Sequence, residues 1–251
     1  MSCMNEIQKL QQDIYHNYAK RVGLDPEAVY LHGTILRPVV PLDTGKKGLF
    51  ILGAYPSARF ALIDGISDVP TADNLGPFES ERWFDGCRVR QQPSARELEE
   101  LFLEPLSLQR STCWITDLVK IFLFKQGHIE RYKKLNAVVP SGYLREDFFD
   151  LAKKSLLWLE KELEAAQPVF MITLGAEVAG VLRGIRSKTA QIKLLKPEYS
   201  TLTVGSISVP VMHCAHPGIL MRRNDSKNPW PSKHCHEFIP ALEQARKDFG
   251  F

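Results

Sequence analysis

The chain has 251 residues, of which 44% are hydrophobic and 24% charged, and it carries a formal net charge of +3. These values are ordinary for a globular protein with a sizeable core, and the charge is too small to indicate nucleic-acid binding by itself. No apolar run approaches the roughly 20 residues of a membrane-spanning helix, and residues 1–12 lack the apolar segment of a signal peptide. The five cysteines are scattered and odd in number, which argues against a disulfide framework and favours a cytoplasmic protein.

Segments with helical periodicity alternate with short apolar runs along the chain. The spacing of apolar residues predicts helices at residues 5–22, 94–106, 144–166 and 175–182, and a final helix from residue 232. The apolar runs predict strands at residues 49–52, 113–119, 168–174 and 207–212. Because strands alternate with helices, we expect an α/β fold: a single domain over residues 1–251 with three αβα layers around a central, mainly parallel four-stranded sheet.

Two long segments lack regular periodicity. Residues 54–93 hold many Gly, Pro, Asp and Ser residues and are expected to form a loop, which at that length is usually functional. A capping box from Ser94 to Glu97 is expected to begin the helix that follows. Residues 124–140 are expected to form a basic connection, and its charges are expected to face solvent.

Two short segments deliver polar groups from the end of a buried strand onto a loop. The first runs from Phe50 to Ser57 and contains Gly53-Ala54-Tyr55-Pro56; the second runs from Val209 to Gly218 and ends in His-Pro-Gly. In open α/β sheets, ligands bind where strand ends meet such loops. The glycine patterns of dinucleotide-binding and phosphate-binding loops are absent. Taken alone, either segment is an ordinary turn.

The order and spacing of the two loops resemble the uracil-DNA glycosylase superfamily over about residues 47–245. That superfamily has Gly-x-x-Pro early in the chain and His-Pro-Ser/Gly late. The resemblance implies a uracil-DNA glycosylase-like fold and a DNA glycosylase of base excision repair. Such an enzyme flips a damaged or deaminated base out of duplex or single-stranded DNA and hydrolyses its N-glycosidic bond.

In active members, an acidic or amide residue in the first loop orients the attacking water. Here Ala54 and Tyr55 occupy those positions, and a tyrosine with an ordinary pKa near 10 cannot replace a carboxylate at neutral pH. A carboxylate from elsewhere is then needed, and the candidates are Asp64, Asp73, Glu79, Glu81 and Asp117. The alternative is a catalytically weak or inactive relative that binds nucleic acid or a nucleotide.

The resemblance also implies which residues surround the base. Phe78 matches the aromatic floor of the family's base pocket, and aromatic rings stack on bases. Asp117 stands where the family usually has an Asn that reads the uracil edge, although an ionised carboxylate only accepts hydrogen bonds. Gly53 and Tyr55 are expected to line the same pocket. From the residues alone, Phe78 could instead anchor its loop to the core and Asp117 could cap a turn.

The late loop is expected to carry catalysis and DNA binding. His216 matches the residue that stabilises charge on the leaving base, so His216 and Asp117 are the expected catalytic residues. Leu220 matches the apolar wedge that enters the duplex. The expected DNA contacts are Ser57, Gly218, Leu220, Arg222 and Arg223.

A competing hypothesis is a zinc protein unrelated to DNA. Zinc-ligand residue types occur at His213, Cys214 and His216, and again at residues 234–236. Neighbours on a strand point to opposite faces and Cys-x-x-Cys pairs are absent, so we expect no metal. The cysteine pattern of iron–sulfur members is also missing, and no cofactor is expected. The expected partner is DNA with a damaged base, no membrane is expected, and the protein is expected to be a monomer in the cytoplasm, on the nucleoid, or in a eukaryotic nucleus.

Overall fold

The computed structural model describes residues 4–251, which form nine strands and nine α-helices. The strands are, in chain order, β1 (Leu49–Gly53), β2 (Ala58–Ile63), β3 (Ile66–Asp73), β4 (Arg82–Phe84), β5 (Val89–Gln91), β6 (Trp114–Asp117), β7 (Phe170–Leu174), β8 (Ser200–Val204) and β9 (Ile207–Cys214). The helices are α1 (Glu6–Val22), α2 (Pro93–Leu98), α3 (Gln126–Lys134), α4 (Phe148–Ala166), α5 (Ala176–Leu182), α6 (Lys188–Ile192), α7 (Pro217–Leu220), α8 (Trp230–Lys233) and α9 (Ile239–Phe249).

The central sheet has the strand order β6–β1–β7–β9–β8. The first four of these strands are parallel, and β8 pairs antiparallel with β9 at one edge. The sheet is therefore mainly parallel, as predicted, but it has five strands rather than four. Sequence patterning missed β8 because that strand buries only Leu202 and Val204 and leaves its other residues exposed.

Helices flank both faces of this sheet. Phe50 and Leu52 of β1 share one hydrophobic cluster with residues of α1 and α4, whereas Leu49 and Ile51 share another with residues of α2 and α9. This alternation follows from the two-residue period of a strand, which sends neighbouring side chains to opposite faces. The arrangement is compatible with the predicted three αβα layers.

The segment expected to be a loop at residues 54–93 contains two hairpins, β2–β3 and β4–β5. The capping box predicted at Ser94 is wrong, since α2 begins at Pro93 with Gln92 in the N-cap position. Proline at the first helical position is favoured because its missing N–H has no partner there in any case. The connection expected at residues 124–140 contains α3. Among residues 4–251, no helix is long and apolar enough to cross a membrane.

Candidate functional site

A cleft of about 520 Å³ lies at the carboxyl edge of the sheet. Its lining includes one polar residue from the end of each of the four parallel strands or from the segment that follows it: Tyr55 after β1, Asp117 at β6, Glu177 after β7 and His216 after β9. Parallel strands present all their carboxyl ends at one edge, which is why residues far apart in sequence meet there. The volume is in the range of small-molecule sites, about 300–1,000 Å³.

Gly53 lets the side chains of Asp117 and Phe78 pack closely against the backbone of β1. It pairs with Asp117 in the register of β1 and β6. A Cβ at Gly53 would lie 2.1 Å from Asp117 Oδ1 and 2.6 Å from Phe78 Cε2, so no other residue fits without a shift. Phe78 itself has φ +55°, an unusual backbone conformation for a bulky residue that the surrounding structure must hold. Gly53 does not line the cleft; it packs behind Phe78 and Asp117, both of which do.

Asp117 is a buried carboxyl beside a buried ion pair. Lys120 Nζ donates to Glu162 Oε2 at 2.6 Å and to the Asp117 carbonyl oxygen at 2.6 Å. Burial raises the pKa of the Asp117 carboxyl to about 7, with Lys120 acting in the opposite direction and Glu162 in the same one. Near neutral pH a large fraction of Asp117 is therefore protonated, and in that form the group both donates and accepts hydrogen bonds.

His216 is held in one orientation by its own loop. Its Nδ1 accepts from the Gly218 backbone N–H at 3.1 Å, so the neutral ring carries its proton on Nε2. Burial lowers the pKa of His216, while the charge of Glu177 raises it and that of Arg145 lowers it further. The neutral imidazole thus has an Nε2–H donor that its own loop does not use.

The phenol ring of Tyr55 lies beside the guanidinium of Arg145. The Arg145 guanidinium stacks on its ring, 5.2 Å from the centroid, and Phe148 packs edge-on at 5.6 Å. Burial raises the pKa of Tyr55; Arg145 acts in the opposite direction, and the negative charges of Glu177 and Asp117 add to the rise. The first loop therefore supplies a neutral phenol where the family resemblance implies an acid or an amide.

Of the five carboxylates predicted as candidates, only Asp117 lines the cleft. Asp73 accepts hydrogen bonds from Tyr30 Oη and the Arg37 backbone N–H, and Glu81 accepts from Arg59. Asp64 lies in the β2–β3 turn with φ +48°, and Glu79 lies 3.7 Å from Arg110. None of these four side chains lines the cleft.

Two carboxylates that the sequence analysis did not select, Glu97 and Glu177, line the cleft. Burial raises the pKa of Glu97. The sequence predicts that Glu97 forms a capping box with Ser94. Because α2 begins at Pro93, before Ser94, the side chains of Ser94 and Glu97 are free to face the cleft, which both residues line. Glu177 could have been found, because it follows the end of a buried strand just as Asp117 and His216 do.

The late loop differs from its predicted form at one residue. Leu220 is only 1% exposed and belongs to the core, so the prediction that it is the exposed wedge is wrong. The reason is that residues 217–220 form the helical turn α7, in which the Leu220 backbone N–H donates to the His216 carbonyl oxygen. In this turn the Leu220 side chain faces inward. Ile219 is 38% exposed and lines the cleft instead.

The other predicted DNA contacts divide into two groups. Ser57, Gly218 and Arg222 line the cleft, whereas Arg223 is exposed outside it. The basic connection also contributes, through Lys125 and His128. Burial and the nearby cations lower the pKa of His128 to about 3, so this ring is neutral. The charges of residues 124–140 predict a surface that faces solvent, but part of this segment faces the cleft.

The two zinc-like clusters are not assembled into a site. Within residues 4–251, no three His, Cys, Asp or Glu side chains come together in a way that could hold a metal ion. His213 Nδ1 is 2.8 Å from Thr173 Oγ1, and its Nε2 accepts from Arg183. His234 Nε2 is 2.8 Å from the Leu101 carbonyl oxygen. His213 and His234 thus each make hydrogen bonds to other parts of the fold.

No protein-family model matches this sequence, and no curated protein is significantly similar to it. The functional argument therefore depends on the fold, the cleft and the chemistry of its residues. Membership of the uracil-DNA glycosylase superfamily stays a prediction.

Proposed function

We propose that this chain is a DNA glycosylase that flips a damaged or deaminated base into the cleft and hydrolyses its N-glycosidic bond. The observation that carries the proposal is the meeting of Phe78, Asp117 and His216 in one cleft at the carboxyl edge of the sheet. A flat ring, a carboxyl that both donates and accepts, and an oriented imidazole donor are the groups needed to bind a base and stabilise its departure.

In this mechanism the bond between C1′ and the base nitrogen breaks, and the base leaves with the bonding electron pair. The Nε2–H of His216 donates to a base atom on which negative charge develops, and a donor of this kind strengthens in the transition state. Water adds to C1′ as its proton passes to a carboxylate of the cleft, which then returns the proton to solvent. The base anion is protonated on release, and an abasic sugar remains in the DNA.

The rim of the cleft suits a nucleic-acid strand. Ile219 is an exposed apolar side chain on the loop that also carries His216, and apolar wedges of this kind take the place of a flipped nucleotide in the stack. Arg222 and Lys125 line the same cleft and can bind phosphates of a strand that enters it. In this proposal Ile219, not Leu220, is the wedge.

The proposal is tested by incubating the protein with duplexes and single strands that carry uracil, hypoxanthine or xanthine and scoring abasic sites. We expect excision of at least one of these bases, and we expect His216→Ala to lower the rate by about 10²–10³ with little change in DNA affinity. The variant also controls for a contaminating glycosylase, whose activity would not respond to the change.

A second candidate is a relative that binds nucleic acid or a nucleotide without cleaving it. The observation that favours it is the first loop, in which Ala54 and Tyr55 provide no carboxylate. Binding of a modified duplex without abasic sites, in single-turnover conditions and with all three bases, would support this candidate and contradict the glycosylase.

A further inference from the structure

A buried ion pair lies directly behind the end of β6. The side chain of Lys120 is 1% exposed and that of Glu162 is fully buried, and Lys120 Nζ lies 2.6 Å from Glu162 Oε2. Taking two charges out of water is costly, and replacing such a pair with apolar residues of similar volume is often neutral or stabilising. Stability alone therefore does not explain the pair, and its hydrogen bonds indicate a further role.

The remaining hydrogen bonds of the pair go to the end of β6. Lys120 Nζ donates to Thr116 Oγ1 at 2.7 Å and to the Asp117 carbonyl oxygen at 2.6 Å. Thr116 Oγ1 in turn donates to the other carboxylate oxygen of Glu162 at 3.1 Å. Because Glu162 belongs to α4, this network joins the helix to the last two residues of β6, the second of which is Asp117.

The turn after β6 ties the same strand end to the first loop of the cleft. The Leu118 N–H donates to the Gly53 carbonyl oxygen and the Val119 N–H to that of Ala54, both at 2.9 Å. The Asp117 carboxyl packs against the α-carbon of Gly53, where a Cβ would come within 2.1 Å of Oδ1. A small rotation of this turn would therefore carry the Asp117 carboxyl away from its place in the cleft wall.

We propose that Lys120 and Glu162 are positioning residues that hold the Asp117 carboxyl at the wall of the cleft. Neither residue lines the cleft, so both act through Asp117 and not on a ligand. An ammonium with three hydrogen-bond partners restrains the turn in direction as well as in distance, which apolar packing does not do. The effect on excision rests on the proposed function, but the place of Asp117 is measurable without activity.

The test replaces both members of the pair in one variant, Lys120→Met with Glu162→Leu. The new side chains are similar in volume to the old ones and uncharged, so no buried charge is left without its partner, as it would be in a single substitution. The matched control is Ser155→Ala, which also removes a buried polar contact of α4. Among residues 4–251, the Ser155 hydroxyl hydrogen-bonds to Tyr18 Oη and the Leu151 carbonyl oxygen, and not to the ion pair.

The decisive readout is the pKa of Asp117, from carbon-13 NMR of its carboxyl, with the signal assigned by its absence in Asp117→Asn. The charges that act on this carboxyl are those of Lys120 from its own turn and Glu162 from α4, and the neutral phenol of Tyr55 lies nearby in the first loop. Lys120 lowers the pKa more than Glu162 raises it, so a carboxyl that keeps its place should show a higher pKa in the double variant. A carboxyl that loses its place becomes hydrated, and its pKa should fall from about 7 toward 3.8.

We expect the second result, together with an unchanged or raised melting temperature and single-turnover excision at least about tenfold slower. Ser155→Ala should lower the melting temperature and leave the pKa of Asp117 and the excision rate unchanged. A pKa that stays near 7 or rises in the folded double variant would overturn the inference. A fall in the pKa of Asp117 in a protein whose wild-type form excises no base would contradict the glycosylase and leave this inference standing.

Thr116→Val provides a second test that keeps the ion pair and so does not depend on the double variant folding. Valine has the shape of threonine but removes one partner of the Lys120 ammonium. We expect the amide protons of Leu118 and Val119 to exchange at least about tenfold faster in this variant, with a smaller fall in the pKa of Asp117. Unchanged exchange and an unchanged pKa would show that the network does not hold the turn and would overturn the inference.

Discussion

Asp117→Asn tests how the buried carboxyl of the cleft contributes to stability. The pKa of Asp117 is raised from 3.8 to about 7 by burial. At about 1.36 kcal/mol per pH unit, ionising this group in the folded protein costs about 4 kcal/mol relative to the unfolded chain. A carboxyl whose pKa is raised on folding stabilises the protein fully only below the unfolded pKa. That stability is lost as pH rises from about 4 through 7.

The assay is urea unfolding of both proteins between pH 4 and pH 8.5. Asparagine is close in shape to the protonated carboxyl and does not titrate, so the two stabilities should be similar at pH 4. The difference should then grow in favour of Asp117→Asn to about 4 kcal/mol at pH 8.5. Asp248→Asn, at an exposed site on α9, should follow the wild-type curve. Parallel curves for wild type and Asp117→Asn would refute the reasoning.

The same substitution tests whether Asp117 contacts the base. A protonated carboxyl donates and accepts only while it keeps its proton, whereas an amide does both at every pH. Asp117→Asn should therefore raise the preference for uracil over other substrates, most clearly above pH 7. An unchanged preference in a folded variant would show that Asp117 does not read the base.

Three further predictions concern the segment after β9. Replacing Arg222 and Arg223 with Ala should weaken DNA binding for every sequence and reduce the slope of log affinity against log salt by up to about 2, and an unchanged slope would remove both from the interface. Leu220→Ala should cost about 2–5 kcal/mol of stability in urea unfolding because Leu220 is buried in the core. Ile219→Ala should alter stability by less than about 0.5 kcal/mol but weaken binding of a flipped nucleotide, and equal losses of stability would contradict this assignment.

The meeting of Tyr55, Asp117 and His216 was predictable because it depends on a general rule. Each follows a buried apolar run, and such runs in an α/β protein form parallel strands whose carboxyl ends share an edge. Glu177 obeys the same rule after β7 and was equally predictable. The missed strand β8 obeys no such rule, since an edge strand with two buried residues gives little periodic signal.

The errors at Leu220 and Glu97 have a different origin. At Glu97 a helix was expected but its first residue was not, whereas at Leu220 a loop was expected and a helical turn forms. A helical turn that begins at Pro217 buries Leu220 and exposes Ile219, and a helix that begins at Pro93 leaves Glu97 facing the cleft. A shift of one residue in a helix start rotates each side chain by roughly 100°. The two hairpins β2–β3 and β4–β5 arise in a segment without periodicity, which no pattern predicts.

In the proposed reaction, the acid that orients the attacking water comes from a neighbouring strand end. The side chains of Asp117, Glu97 and Glu177 all line the cleft. Asp117 ends β6 and Glu177 follows β7, the two strands that flank β1 in the sheet, so both lie beside the loop where the resemblance implies a catalytic acid. Since Asp117 keeps its proton to about pH 7, Glu177 is the better group to hold water and accept its proton.

This assignment predicts different results for two matched substitutions in the cleft. Glu177→Gln should lower the single-turnover excision rate at least about tenfold with little change in DNA affinity, whereas Glu97→Gln should have a smaller effect on the rate. The charge of Glu177 raises the pKa of His216, so Glu177→Gln should also lower that pKa, which NMR titration of the histidine can follow independently of activity. A larger loss of rate in Glu97→Gln would move the water-positioning role from the end of β7 to α2.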